Sequence, residues 1–236
     1  MEEVERKSLT KAMAQTTGIE ASSIIGEYVE LGIDALLDEG VLKEIPIVST
    51  AVSLFKVGKS IRELHHLKKF YAFLCEFDHQ ASRDGARDKY RKYFESENRD
   101  EELMYLIVIL DRYIEDEQAK HLAILYAAFL DEKISFTELR LLSQVLERLL
   151  PGDYEMLKSN DQARTFRETE SDAIMRLVGL GLMIELPRKA ALMVDDGVAS
   201  IDDPEEMAKE ERNYRRTALG DKLVSIVDSE AICHTE

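Results

Sequence analysis

The chain has 236 residues, enough for one large domain or two small ones, and its 45% hydrophobic and 33% charged content excludes general disorder. Four prolines and 11 glycines leave little material for a turn-dense all-β fold, and the wealth of Leu, Ala, Glu, Lys and Arg favours helices. A formal charge of −16 opposes association with nucleic acid or anionic lipid unless a local basic patch overrides it.

The opening segment, MEEVERKSLTKAMAQ, is charged and lacks the apolar run of a secretory signal. Two cysteines, Cys75 and Cys233, supply no disulfide framework, so a reducing cytoplasm is the expected compartment. Gly40 suits the end of a helix over Ile19–Glu39, and Pro46 suits the first turn of a second over Pro46–Glu76. The two read as the arms of an αα-hairpin.

The stretch Gly40–Ile61, GVLKEIPIVSTAVSLFKVGKSI, is the most apolar part of the chain. Between Glu44 and Lys56 lie 11 uncharged residues, whereas a spanning helix needs about 20. Glu27, Glu30, Asp34 and Asp38 recur at helical spacing just before it and are costly in hydrocarbon. A constitutive transmembrane span is therefore not expected. On the second arm Ile47, Ala51, Leu54, Gly58 and Ile61 form one stripe, with Val48, Val52 and Phe55 beside it; Ser49, Ser53, Lys56 and Ser60 form a thin polar edge. A helix apolar over most of its girth is normally buried centrally, so the hairpin is expected at the core of a bundle. The rival expectation is an effector that shelters this hairpin over residues 45–61 and releases it to a membrane through Ile47, Val48, Val52 and Phe55.

Leu37, Gly40, Leu42, Ile45, Pro46, Ile47 and Thr50, then Lys56, Ser60, Ile61 and Arg62, then Leu67, Lys68, Lys69, Phe73 and Leu74 make a pattern of the form GxLxxIPIxxT…KxxxSIR…LKKxxxFL. It resembles a segment of about 40 residues found in a set of bacterial helical proteins of uncharacterised function. The resemblance implies a bacterial origin and no particular activity.

Further helices follow. GARDKYRKYFESE carries an aromatic edge of Tyr90, Tyr93 and Phe94. Asp100, Glu101 and Glu102 open DEELMYLIVILDRYIED, where acids suit the helix dipole, and Leu103, Leu106, Ile107, Leu110 and Ile114 make its core face. Asp116 is the expected cap of the next helix, with Leu122, Leu125, Tyr126 and Phe129 inside. Ser135 and Glu138 have the spacing of a capping box, ahead of an inner face of Leu139, Leu142, Val145, Leu146 and Leu149.

Chemistry is sparse. DEKISFTEL matches the back half of a calcium loop but lacks its ligand-bearing opening, and the capping box accounts for the same residues. Glu117 and His121 stand one turn apart, yet the second Glu-x-x-His and the further Glu residues of a di-metal bundle are not there. Cys75 and His79 are at i, i+4 among phenylalanines, which favours a buried thiol over an activated one. No catalytic residue, metal site or cofactor is expected. His65, His66, Lys68 and Lys69 form a basic turn, the best local contact for an anion or lipid headgroup.

The C-terminal third changes rhythm. A helix near Ser171 leads into an extended stretch, and after an acidic segment comes YRRTALGDKLVSIV. Leu177, Gly181, Leu182, Met183, Tyr214, Thr217, Gly220 and Leu223 resemble the end of a winged-helix domain, where a wing hairpin leads into a closing helix capped by Thr217. Such domains often read DNA, and Arg176, Arg188, Lys189, Arg215 and Arg216 would be the contacts. From Ser171 to Glu236, however, 14 acids face 8 Lys plus Arg, and phosphate neutralisation needs the opposite balance.

The expected architecture is mainly α: a helical bundle over 1–152 built on the hairpin, a winged-helix-like module with a small β-hairpin over 153–228, and a tail over 229–236. The expected function is that of a non-enzymatic interaction or regulatory protein with a protein partner, in a stress or phage-defence response. Nucleic-acid binding and triggered membrane activity are the alternatives.

Overall fold

In the computed structural model residues 8–18, 45–55, 61–83, 85–160, 164–165, 171–186 and 213–231 are described. The chain is mainly helical, with a small antiparallel sheet, and divides into two units, Met1–Glu147 with Ser229–Glu236, and Arg148–Asp228.

The first unit contains α1 (Leu9–Gly18), α2 (Pro46–Phe55), α3 (Ile61–Ala81), α4 (Ala86–Ser96), α5 (Asp100–Arg112), α6 (Asp116–Leu130) and α7 (Phe136–Arg148), whose last residue enters the second. Pro46 does begin α2, where its fixed φ and missing N–H cost nothing. The expected single arm Pro46–Glu76 corresponds to α2 and α3, with 56–60 outside the described residues and α3 continuing to Ala81. The first arm, Ile19–Glu39, also lies outside the described residues.

The centre of this unit is α3 against α6. Phe70, Phe73 and Phe77 recur every three or four residues, so they share one face of α3 and stack in sequence. Tyr126 of α6 meets Phe73, Phe77 and Phe94, and Phe77 also meets Tyr90. Each such pair contributes about 0.5–1.5 kcal/mol beyond its area burial. The polar end of Tyr126 donates to Glu102 Oε1 at 2.6 Å, and Tyr93 donates to Oε2 at 2.8 Å. Both carboxylate oxygens are thereby used, and the Arg99 guanidinium lies 4.4 Å above the Tyr93 ring. Burial first, and the Glu102 charge second, raise the Tyr126 phenol far above its ordinary pKa, so it remains a donor.

Most of the expected core faces are inside, with two corrections. Ile114 is 68% exposed, because α5 ends at Arg112 and Tyr113 turns inward instead, donating to Ser143 O at 2.9 Å. The cap of α6 is Glu115 rather than Asp116. Glu115 and Gln118 form a reciprocal capping box, and the buried Gln118 amide also donates to Leu146 O at 2.8 Å, which ties α6 to α7. The Ser135–Glu138 box is present as expected, with Ser135 N–H on Glu138 Oε2 at 2.8 Å and Glu138 N–H on Ser135 Oγ at 3.2 Å.

The second unit runs α8 (Asp153–Ser159), β1 (Arg164–Thr165), α9 (Ser171–Gly179), β2 (Met183–Glu185), β3 (Asn213–Arg216) and α10 (Ala218–Ala231), the last helix crossing into 229–231 where a tail was expected. The strands order β1-β3-β2, all antiparallel. Directly opposed residues share a face. Met183 opposite Arg216 and Glu185 opposite Tyr214 therefore lie on one side, where Met183 and Tyr214 are buried. Ile184 opposite Arg215 lies on the other, exposed side.

A turn at Gly181, whose φ of +73° suits glycine, joins α9 to β2. Thr217 caps α10: its hydroxyl accepts from Gly220 N–H at 3.2 Å and donates to Gly181 O at 2.6 Å. Its own N–H donates to Leu182 O at 2.9 Å. Gly220 sits so close to that strand that a β-carbon there would lie 2.3 Å from Leu182 O. Leu157 Cδ1 would stand 3.4 Å from the same β-carbon, and Leu177, Leu182 and Leu223 are fully buried.

Candidate functional site

Three places carry the candidate residues, and each places its charges or apolar atoms differently from a free surface. On α2, Ile47 and Val48 are 2% and 1% exposed, while the side chains of Val52 and Phe55 lie outside the described residues. The start of α2 is held from α1: Ile47 N–H donates to Thr16 Oγ1 at 3.1 Å, satisfying one of the amides a helix leaves open. Thr50 returns its hydroxyl to Pro46 O at 2.8 Å. Among the described residues no helix is long and apolar enough to cross a membrane.

The basic turn on α3 faces the α5–α6 junction. His66 Nδ1 lies 3.4 Å from Asp111 Oδ1, and Lys68 Nζ lies 2.8 Å from Asp116 Oδ2. Lys69 is 2% exposed; its ammonium donates to the carbonyls of Tyr113 and, at 3.3 Å, Asp111. These carbonyls close α5, where the helix dipole favours a cation. Lys69 thus belongs to the interior, and the anion-contact expectation narrows to His65, which is exposed, with Lys68 and His66 shared with carboxylates. Neighbouring residues on a helix point about 100° apart, which is why Lys68 and Lys69 part company.

In the second unit Arg176 grips Asp153 with two bonds, Nε to Oδ2 at 3.1 Å and Nη2 to Oδ1 at 2.7 Å. Asp153 is 1% exposed and also accepts from Leu150 N–H at 2.9 Å. The carboxylate at its side raises the Arg176 pKa further. Arg216 Nε is 2.8 Å from Asp221 Oδ1, so it too serves the fold. Arg215 is exposed beside Ile184; Arg188 and Lys189 lie outside the described residues. The exposed large apolar side chains of this unit include Met175 at 55% on α9 and Ile184 at 49% on β2.

Among the described residues, Cys75 is not set up as a nucleophile. Burial pushes the Cys75 thiol up to about 11, against a lowering contribution from the Tyr71 phenol, and the Asp78 and Glu76 charges add to the rise. Such a thiol stays protonated at neutral pH. Glu117 is exposed and His121 half-buried on α6, and among the described residues no group of three or more His, Cys, Asp or Glu side chains is placed to hold a metal ion. Two polar centres escaped sequence reasoning: Asp153, with its partner 23 residues away, and Asp100, with partners about 90 residues away. Neither separation leaves a periodic signal. No protein-family model, no curated protein and no solved structure matches the chain.

Proposed function

We propose that this is a non-enzymatic bacterial interaction or regulatory protein, working in a stress or phage-defence response, whose winged-helix-like C-terminal unit contacts a protein partner. The reading rests on one observation above the others. The helix that would enter a DNA groove, α9, has its cation Arg176 clamped on buried Asp153 and presents Met175 outward. Exposed apolar side chains among carboxylates suit a protein surface, whereas a phosphate backbone calls for free Lys and Arg. The β1-β3-β2 order and the Thr217-capped closing helix support the winged-helix description. The acidic surface, at −16 overall, adds repulsion of polyanions.

The test is a comparison of the unaltered chain with a Met175→Asp, Ile184→Asp double variant as baits in extract of the native bacterium. A partner retained by the first and lost by the second, with circular dichroism unchanged, supports the proposal; identical capture by both overturns it. Low-salt DNA binding that disappears in an Arg215→Glu variant would move the reading to the nucleic-acid alternative. Release of trapped dye from liposomes, dependent on residues 45–61, would move it to the membrane-active one.

A further inference from the structure

The outer side of α5 is a single line of side chains. Leu103, Leu106, Ile107, Ile109 and Leu110 are buried, and the exposed residues of the helix are Glu101, Met104, Val108 and Arg112. Successive helical residues lie about 100° apart, so these four, spaced by three or four positions, fall within about 80° of the helix surface. Met104 is 36% and Val108 46% exposed, with a carboxylate before them and a guanidinium after. Single apolar side chains on a surface are ordinary; a pair one turn apart, framed by opposite charges, is a pattern that a partner can read. Glu101 has no ion-pair partner among the described residues. Arg112 Nη2 lies 2.8 Å from Glu147 Oε1, yet 55% of the Arg112 side chain remains exposed.

The order of the line decides the occupant. The pair Met104 and Val108 and the pair Glu101 and Arg112 centre on nearly the same point of the helix, beside Leu106. Reversing the helix about that point exchanges apolar with apolar and acid with base. The line is therefore complementary to itself in the antiparallel sense, as a two-fold axis demands, and every contact is made twice. We infer that α5 is the contact of a homodimer: a second copy of this chain lays its own α5 antiparallel across the first, Met104 against the partner's Val108 and Glu101 against the partner's Arg112. A parallel pairing would set Glu101 on Glu101 and Arg112 on Arg112. The ion pairs lie at the two ends, where water screens them, and fix direction and register; the apolar centre supplies the attraction. With only four apolar side chains at that centre the dimer is weak and reversible, with a dissociation constant of about 10–100 μM. The inference concerns α5 alone and stands whether or not the C-terminal unit binds a protein.

Sedimentation velocity of the full chain from about 1 to 300 μM tests it. Expected is a reversible shift from monomer towards dimer, weakened at least tenfold by Val108→Asp, with circular dichroism unchanged. A chain that stays monomeric throughout would overturn the inference and leave the line to a foreign protein. A dimer indifferent to Val108→Asp would overturn it by placing the contact elsewhere. Charge reversal tests the register. Glu101→Arg alone and Arg112→Glu alone each set like charges together twice, and each should associate several-fold more weakly. Mixed in equal amounts, the two variants restore both opposite-charge pairs, and association should return to that of the unaltered chain; no recovery on mixing refutes the antiparallel arrangement. Should Arg112→Glu not fold beside Glu147, cysteines decide, in a Cys75→Ser, Cys233→Ser background. Met104→Cys protomers mixed with Val108→Cys protomers should cross-link faster than either variant does with itself, and equal rates would count against the pairing.

Discussion

In the N-terminal unit α3 and α6 meet through large side chains, Phe73 and Phe77 against Tyr126; in the C-terminal unit α10 meets the α9–β2 junction through bare backbone, Gly220 against Leu182 O. The first kind of contact is broad and redundant, because several rings share the same space. The second depends on single atoms. A substitution in the first therefore leaves a cavity whose cost scales with the atoms removed, whereas one in the second forces the backbone apart.

The largest expected effect is Leu125→Ala in the fully buried face of α6, a loss of about 4 kcal/mol from lost transfer energy plus the cavity left behind. Urea unfolding followed by circular dichroism measures it. Gly220→Ala adds one carbon and still costs about 3 kcal/mol, since Leu182 O cannot swing away as a side-chain end would. Its damage should register as lost exchange protection over Ile174–Met183 and Leu223–Val227. Equal tolerance of Gly220→Ala and an exposed substitution such as Ser225→Ala would erase the contrast between the two kinds of contact.

Arg176→Met sharpens the comparison, because it removes a polar contact from the unit that relies on few. Asp153 would keep only the Leu150 amide, and a buried carboxylate deprived of its cation is destabilising, so the urea midpoint should fall. Arg176→Lys should recover part of this, since an ammonium cannot match the two-bond fork. Full recovery by lysine, read from urea midpoints, would show that charge alone matters there.

How much of this was legible depended on the distance over which partners act. Local periodicity located the inner faces of α5, α6 and α7, local spacing located the Ser135–Glu138 box, whose partners lie within one turn, and the resemblance to a winged-helix end pointed to the Thr217 cap. The Ile114 and Asp116 expectations missed by one or two residues at a helix junction, where capping by Glu115 and Gln118 competes with periodicity. The sequence offers Arg176 and Lys69 as available cations, since nothing near them in the chain announces Asp153 or the end of α5. The apolarity of α2 was plain, but not that α1 shelters its Ile47 and that Asp100 holds α1.

Asp100 gives the smallest expected effect and one that pH can isolate. Burial tends to raise its pKa, but the Thr10 N–H and hydroxyl, the Ser8 hydroxyl and the Leu9 backbone overcome this and hold it below the ordinary carboxylate value. A carboxylate with a depressed folded-state pKa contributes stability that is present above its unfolded value of about 3.9 and is lost as pH falls through the folded value. Asp100→Asn should therefore cost about 1–2 kcal/mol at pH 7, the range for charge-assisted bonds at a part-exposed site. The gap between the two proteins should begin to narrow as pH falls below about 3.9, where the unfolded carboxyl takes up its proton, and should close as the native carboxyl follows at lower pH and turns neutral like the amide. Urea titrations of both proteins at pH 7 and pH 3 measure it. A gap that persists unchanged at pH 3 would mean that Asp100 holds the Ser8 and Thr10 groups at the start of α1 by geometry alone, with no part played by the negative charge.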